Sequence, residues 1–200
     1  MRKTIHAQTD VSVAGKDQLK TVAQVIMLGF SSDPVTRWIW PDTGTFLKHM
    51  PDFVAAFGGR GFDHGSVYQT ACQRAAAMWL PPGIEPDTET ILGIMGVSVD
   101  PARMEEIGGF FGQLGDYHPE YPCWYLPMIG ADPAHVGKGL GAALMKHALT
   151  IVDAAHLPAY LESSNPRNIS LYERHGFEIM GEIQSGSSPV MTPMLRPARD

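Results

Sequence analysis

The sequence predicts an α/β or α+β domain with helices on both faces of one central sheet. Strand and helix signals alternate along the chain. The longest helical pattern follows a glycine-rich loop in the last third. The chain of 200 residues has the size of one domain, and its 44% hydrophobic and 18% charged residues are ordinary for a globular protein. We therefore predict a single domain over residues 1–200, with a helical insertion around residues 87–117.

The N-terminal part contains one short strand and two helices. Residues 11–14 are predicted to form the strand. Asp17 is placed to cap a helix whose apolar side chains recur at helical spacing from Leu19 to Phe30. The run Ser31-Ser32-Asp33-Pro34 ends that helix. A second helical stretch covers residues 43–57.

The middle of the chain predicts a hairpin, the insertion and a central strand. Residues 66–71 and 75–80 have strand composition and are followed by the turn Pro81-Pro82-Gly83. Residues 87–117 are mostly helical in pattern. Residues 123–131 form a strand interrupted by Pro127. Because proline cannot donate a ladder hydrogen bond, we expect a bulge or an unpaired side near Pro127.

The last third has the most regular pattern. From residue 140 a helix presents one apolar face, made of Leu140, Ala143, Leu144, His147, Ala148, Ile151, Val152 and Ala155. Residues 159–163 form a short strand, after which Asn165-Pro166 starts a helix that Gly176 ends. Strand alternation follows Phe177, and residues 190–195 form a final strand.

Charge and cysteine usage narrow the class of partner. The net charge of −6 argues against a nucleic-acid or membrane-surface binder, both of which need a basic face. Cys72 and Cys123 are expected to be free thiols, and the scattered histidines give no metal spacing. Because residues 1–6 lack the apolar run of a signal peptide, we expect a cytoplasmic protein. Oligomeric state is open, with a homodimer as one alternative.

The loop Val136-Gly137-Lys138-Gly139-Leu140-Gly141-Ala142 lies between a strand and the long helix. Alternate glycines allow backbone N–H groups to converge on one point, and the helix N-terminus adds its positive dipole end. Lys138 adds a charge beside them. The natural ligand of such a loop is a phosphate or pyrophosphate. The alternative is a plain helix start with glycines for close packing.

Several cofactors are compatible with this loop alone. The phosphate loop of nucleoside triphosphatases is excluded, because its glycine–lysine spacing is missing. Gly137-x-Gly139-x-x-Ala142 fits the dinucleotide fingerprint, with Glu162 about 20 residues further on as a ribose-binding acid. S-adenosylmethionine enzymes use a similar arrangement. Such folds usually open with the loop and need several more strand–helix units than the chain has after it, so context disfavours both.

A second string decides among these cofactors. Asn165-x6-Tyr172-x3-Gly176-Phe177, one strand after the loop, resembles the GNAT superfamily of N-acetyltransferases. The loop is similar to that family's Arg/Gln-x-x-Gly-x-Gly/Ala signature, with Val136 where the family has Arg or Gln. Residues 30–37 and 124–133 resemble the branch that includes puromycin N-acetyltransferase.

The resemblance implies a mixed, mostly antiparallel sheet with a splayed strand pair, and acetyl-CoA as cofactor. It places the pantetheine arm of acetyl-CoA along residues 128–131 and the pyrophosphate at residues 136–142. The side chain of Asn165 or Asn168 would then hydrogen-bond the pantetheine arm. The implied cofactor contacts are Met128, Ile129, Gly130, Ala131, Val136, Gly137, Lys138, Gly139, Leu140, Gly141, Ala142, Asn165 and Asn168. Because the family's phosphate contacts there are largely backbone N–H groups, Val136 is expected to weaken binding without abolishing it.

Two residues are candidates for proton transfer. The resemblance implies that Tyr172 protonates the departing CoA thiolate, whereas alone it reads as a core aromatic. Glu162, at the end of its strand, is the best-placed carboxylate to deprotonate an incoming amine, although a capping or salt-bridging role is equally compatible. The predicted activity is therefore transfer of an acetyl group to the primary amine of a small molecule. The rival is a non-catalytic acyl-CoA-binding domain of the same fold.

Overall fold

Residues 9–199, the part of the chain that the computed structural model describes, contain seven strands in one sheet. Residues 1–8, which include all of the N-terminal residues 1–6 considered above, and residue 200 lie outside the described residues. The strands are β1 (Val11–Val13), β2 (Val67–Thr70), β3 (Ala75–Leu80), β4 (Trp124–Ala131), β5 (Ala159–Ser163), β6 (Glu178–Ile179) and β7 (Thr192–Arg196). Their order across the sheet is β1-β2-β3-β4-β5-β7-β6. Every neighbouring pair is antiparallel except β4–β5, which confirms the mixed, mostly antiparallel sheet.

Helices cover both faces of this sheet, as predicted. They are α1 (Leu19–Gly29), α2 (Pro34–Ile39), α3 (Thr43–Gly58), α4 (Thr88–Ser98), α5 (Met104–Tyr117), α6 (Leu140–Ala154) and α7 (Ile169–Glu173). Helices α1 to α5 form one apolar core with Met78 and Met128 of the sheet. Helices α6 and α7 form a second core with Trp79 and Leu126. Successive residues of a strand thus point to opposite faces of the sheet and pack in different cores.

The bulge expected at Pro127 is present. Met78 of β3 pairs with Met128, but two residues later Leu80 pairs with Tyr125. Two residues of β4, Leu126 and Pro127, therefore face Trp79 alone. An extra residue on one strand increases the local twist and bends that strand.

Beside the bulge, β4 and β5 separate. The two strands pair only at Trp124 with Ala159 and at Tyr125 with Tyr160. Beyond these positions β5 continues to pair with β7 as far as Ser163, and β4 continues to pair with β3. The splayed strand pair is thereby confirmed, and it opens a V-shaped cleft between β4 and β5.

The start of the first helix was predicted wrongly. Asp17 lies inside a short 3₁₀ turn, Lys16–Gln18, instead of capping α1. The side chain of Gln18 accepts a hydrogen bond from the N–H of Gly15 at 3.0 Å, so the glutamine closes this turn. The break at residues 31–34 is real, but it also begins the unpredicted helix α2, whose N-cap is Asp33.

The buried face of α6 is also turned relative to the prediction. Leu140, Leu144, Ala148 and Val152 are buried as expected. Ile151 is 39% exposed, however, while Met145 and Leu149 lie in the core. The residues that pack on the sheet are spaced i, i+4 from Leu140 to Val152, together with Met145 and Leu149 beside them. The side of the predicted apolar face that contains Ile151 therefore faces solvent.

Other predicted elements differ only at their ends. The strand after Phe177 contains two residues, β6, and Ile183 joins the sheet through an isolated bridge to Met191. Cys72 and Cys123 are free thiols. Of the helices between residues 9 and 199, none is long and apolar enough to cross a membrane.

A nearly fully buried arginine, Arg196, connects helices α6 and α7 of the second core to the sheet. Arg196 of β7 donates to both carboxylate oxygens of Asp153 in α6, at 2.6 and 2.9 Å. Its Nε donates to the carbonyl of His175, in the turn after α7, at 2.9 Å. Such bidentate pairing fixes orientation as well as distance. Arg196 therefore joins both helices of this face to the last strand.

Candidate active site

The glycine loop has the backbone conformation that only glycine adopts easily. Gly137 and Gly139 have φ of +80° and +81°, where a side chain would be strained. Gly139 is the N-cap of α6, and its carbonyl accepts from the N–H of Ala143 at 3.0 Å. These glycines turn the chain from the 3₁₀ turn Pro133–His135 into the helix.

This loop leaves backbone donors free. Within the described part of the chain, no oxygen accepts from the N–H groups of Gly137, Lys138 or Gly139, and no side chain caps α6. These groups join the unsatisfied donors of the helix's first turn, Leu140, Gly141 and Ala142. Together they present a group of unpaired backbone donors at a helix N-terminus, the kind of surface on which an anion can bind.

The two side chains of the loop contribute differently. Lys138 donates to the carbonyl of Ala134 at 3.2 Å, so its ammonium folds back onto the preceding turn. Val136 is 71% exposed. Because the Lys138 ammonium is bonded to Ala134 and Val136 is apolar, the loop's capacity to hold an anion depends on its backbone N–H groups.

The edge of β4 that faces the cleft consists of Met128, Ile129, Gly130 and Ala131. The opposite edge pairs with β3 throughout this stretch. A side chain at Gly130 would lie 2.9 Å from the Cα of Ile26, because α1 packs directly on the strand. The glycine is thus required for packing, a reason that the sequence pattern did not reveal.

The two asparagines occupy different positions. Asn165 caps the 3₁₀ turn Pro166–Asn168, since its Oδ1 accepts from the N–H of Arg167 at 3.1 Å. Asn168 is exposed and precedes α7. Its side chain has no hydrogen-bond partner among residues 9–199. Asn168 is therefore the freer of the two amides.

Tyr172 is buried in the second core, where its ring packs edge-on against Phe177 with centroids 6.2 Å apart. Burial, together with the negative charge of Asp33, raises the pKa of its hydroxyl. A phenol with a raised pKa remains protonated at neutral pH and is a reluctant acid. Tyr172 is therefore available as a hydrogen-bond donor.

Asp33 links the N-terminal helices to the end of β5. Its Oδ1 accepts from the N–H of Thr36 at 2.9 Å, which caps α2. Its Oδ2 accepts from the hydroxyl of Ser164 at 2.6 Å. No motif in the sequence marks the contact with Ser164, although Asp followed by Pro is a helix-start signal that identifies the cap.

Glu162 is the titratable group placed best for chemistry. Its Oε2 accepts a 2.8 Å hydrogen bond from the hydroxyl of Tyr125, across the base of the cleft. Burial raises the pKa of the Glu162 carboxyl to about 7, against the opposing effect of the hydrogen bond from Tyr125. A carboxyl with this pKa exchanges its proton near neutrality. The sequence contained no signal for Tyr125.

A cavity lies between Glu162 and the helices of the first core, α1 to α5. Five phenylalanines line it, together with Pro127 and Met128 of β4 and Glu162 and Ser164 around the end of β5. The phenylalanines are Phe30, Phe53, Phe57, Phe110 and Phe111. The cavity therefore reaches the cleft where β4 and β5 separate.

Several other aromatic side chains and His118 lie away from this cavity. His118 packs edge-on against the rings of Tyr125 and Tyr160, with centroids 5.2 and 5.0 Å away. Trp40 is buried and donates to Ser98, and Trp79 is a core residue of the sheet. None of these side chains lines the cavity within the described region.

Comparisons with known proteins agree with this architecture. Residues 46–177 match the acetyltransferase (GNAT) family. An uncharacterised N-acetyltransferase of Schizosaccharomyces pombe is 41% identical over 179 residues, covering 82% of this chain and 72% of the relative.

Solved structures share the fold at lower identity. One is a histone acetyltransferase HPA2 and related acetyltransferase of Corynebacterium glutamicum, with 22% identity, a TM-score of 0.67 and coverage of 95% and 96% of the two chains. Another is a polyamine N-acetyltransferase of Drosophila melanogaster, with 13% identity, a TM-score of 0.63 and coverage of 93% and 97%. The family match, the relative and the fold agree: the chain belongs to the GNAT family of acetyltransferases and is an acyltransferase.

Proposed function

We propose that the protein transfers an acetyl group from acetyl-CoA to the primary amine of a small molecule. The observation that carries this proposal is the position of Glu162. A half-buried carboxyl whose pKa is raised to about 7 lies where an apolar cavity meets the cleft between β4 and β5. Perturbed carboxyls in cavities are typical of catalytic sites.

The residues around the cleft fit acetyl-CoA. The free N–H groups of residues 137–142 suit its pyrophosphate, and the unpaired edge of β4 suits the amide groups of its pantetheine arm. Asn168, and Asn165 through its remaining hydrogen-bonding capacity, lie at the far side of the cleft. When bound, acetyl-CoA supplies an activated thioester.

Glu162 is proposed to act as the general base. An alkylammonium has a pKa of about 10.4 in water, so the acceptor arrives protonated and cannot attack. The cavity disfavours the ammonium as it disfavours the carboxylate, which brings the two pKa values closer. Proton transfer to Glu162 then frees the nitrogen lone pair, and the hydrogen bond from Tyr125 keeps the carboxylate oriented.

Tyr172 is proposed to assist departure of the thiolate. Because the pKa of the Tyr172 hydroxyl is raised, transfer of its proton before the C–S bond breaks is energetically unfavourable. As a general acid, Tyr172 would therefore have to donate its proton in concert with C–S cleavage, from a hydroxyl that lies within hydrogen-bond distance of the sulfur.

A CoA-release assay tests the function. Wild-type protein with acetyl-CoA and a panel of primary amines is expected to release CoA only when an acceptor is present. Thermal-shift measurements with CoA, NAD and S-adenosylmethionine are expected to show stabilisation by CoA alone. Binding of acetyl-CoA without release by any amine would support the non-catalytic alternative, and stabilisation by NAD instead of CoA would overturn the proposal.

A further inference from the structure

The wall of the cavity is mostly apolar. Helices α3 and α5 contribute Phe53, Phe57, Phe110 and Phe111. Phe53 and Phe57 stack with ring centroids 5.3 Å apart, and Phe110 and Phe111 meet edge-on at 5.8 Å. Ring faces and edges at these separations form an ordered surface that suits flat or branched hydrocarbon groups.

The polar groups of the wall are few and largely occupied. The hydroxyl of Ser164 donates to Asp33, and Thr36 is an uncharged alcohol. Of the residues between 9 and 199 that line the cavity, Glu162 alone carries an ionisable group. One of its oxygens is held by Tyr125, which leaves the other for a ligand.

The charge of the site therefore matches one ammonium group. A second ammonium on the same molecule would lie against phenylalanine rings without a carboxylate to pair with. The other acids near Glu162 do not provide such a partner. Asp33 is buried with both oxygens bonded to the protein, and Glu85 is exposed outside the cavity. Burial of an unpaired charge is strongly unfavourable.

We infer that the acceptor is an apolar monoamine, an aryl-alkyl or alkyl amine with one basic nitrogen, and that polyamines and amino sugars are excluded. The inference rests on the proposed function, because it assumes that the cavity holds the acceptor. Glu162 receives the ammonium end, and the phenylalanines contact the hydrocarbon end. The amine nitrogen thereby lies at the cleft between β4 and β5.

Matched amines test the inference on the wild-type protein. Hexylamine and 1,6-diaminohexane have the same chain and differ in the second ammonium. Hexylamine and 2-phenylethylamine are expected to have a kcat/KM at least about 100-fold above those of 1,6-diaminohexane, spermidine and glucosamine. A diamine or amino sugar that equals or exceeds hexylamine would overturn the inference and leave acetyl transfer intact. Absence of transfer to every amine would instead overturn the proposed function and the inference with it.

A charge placed on the wall gives a second measurement. Phe111 is half-buried, so the Phe111→Glu variant adds a carboxylate to the cavity without filling the core. This variant is expected to improve the ratio of diamine to monoamine kcat/KM at least about tenfold. Leu92→Glu, at a position that is 64% exposed on α4, adds the same charge away from the cavity and should leave the ratio unchanged. Equal ratios in both variants would contradict the inference.

Discussion

The hydroxyl of Tyr125 and the carboxylate of Glu162 are joined by a 2.8 Å hydrogen bond that crosses from β4 to β5. Tyr125 is the last residue of β4 that pairs with β5, and Glu162 lies two residues beyond its register partner, Tyr160, so the bond spans the point where the two strands separate. One side chain thus marks the end of the ladder and orients the carboxyl that faces the cavity. The first two predictions concern this carboxyl.

Activity should depend on the ionisation of Glu162. Because its pKa is about 7, kcat/KM is expected to fall as the pH drops from 8.5 to 5.5, with a midpoint near 7. Glu162→Gln should lower kcat roughly 10²- to 10⁴-fold and remove this midpoint. The exposed Glu85→Gln serves as a control and should keep the wild-type profile. A profile with the same midpoint in Glu162→Gln would remove the carboxyl from its proposed role.

The same carboxyl should make stability depend on pH. The folded protein holds this proton up to a pH of about 7, whereas the unfolded chain releases it near 4.5, so the folded state binds more protons between these values. The resulting stabilisation is complete below pH 4.5 and is lost as the pH rises through 7. Relative to Glu162→Gln, wild type should lose roughly 3 kcal/mol of unfolding free energy across this window. Urea unfolding of both proteins at pH 4.5 and 8 measures the difference; an equal difference at both values would contradict it.

Loss of the Tyr172 hydroxyl should affect turnover more than binding. Tyr172→Phe keeps the packing against Phe177 and removes only the donor. We expect kcat to fall at least about tenfold, with the Kd for CoA within about threefold of wild type. Steady-state kinetics and calorimetry measure the two quantities. Tyr121→Phe, at a position that is 52% exposed, is the control, and a Tyr172→Phe variant with wild-type kcat would show that the tyrosine is structural only.

The left-handed backbone of the loop should be necessary for cofactor binding. Gly139 has φ +81° with open space around the site of a Cβ, so Gly139→Ala strains the backbone without a clash. A cost of about 1–2 kcal/mol in stability is expected, together with roughly tenfold weaker acetyl-CoA binding. Gly83 has φ +80° in a similarly open turn far from the loop. Gly83→Ala should show the stability loss alone, and equal affinities in the two variants would exclude the loop as the binding element.

The pair of the buried Arg196 and the partly exposed Asp153 should contribute to stability. Asp153→Ala leaves a guanidinium that is 2% exposed without its carboxylate. Loss of a fully buried pair costs about 3–5 kcal/mol, and because the Asp153 side chain is 37% exposed and screened by solvent, we expect a loss of about 2–3 kcal/mol. Arg74 and Asp132 form a 3.1 Å pair with the arginine 51% exposed, so Arg74→Ala should cost less than about 1 kcal/mol. Thermal and urea unfolding of both variants make the comparison. Similar losses would mean that burial does not strengthen the dependence on the pair.

Local signals explain what the sequence could predict. The glycine loop, the helix after it and the Asn165–Gly176 segment are each encoded within a few turns of chain, and the structure places them as expected. Pro127 similarly predicted the bulge, because a proline has no N–H to donate and so interrupts the strand pairing at its own position. The resemblance to a family rested on these same residues.

Contacts between distant segments could not be predicted in this way. Glu162 was identified from its place at a strand end, but Tyr125, 37 residues away, has no motif that marks it as a partner. Ser164 and Asp33 are 131 residues apart. The cavity wall combines residues of α3 and α5 with the two strands, so its apolar character emerges only when the sheet brings them together. The acceptor class therefore had to be inferred from the structure.

The close approach of Gly29 to β4 has a mechanical consequence. A side chain at Gly29 would lie 2.9 Å from the backbone nitrogen of Ala131, so α1 supports this limb of the cleft from behind. Along the edge away from the cleft, the same strand is hydrogen-bonded to β3. A strand supported on two sides resists bending, and we expect the opposite limb, β5 with β7 and β6, to account for any widening on ligand entry. Amide hydrogen exchange should then be slower along residues 128–131 than along residues 161–163.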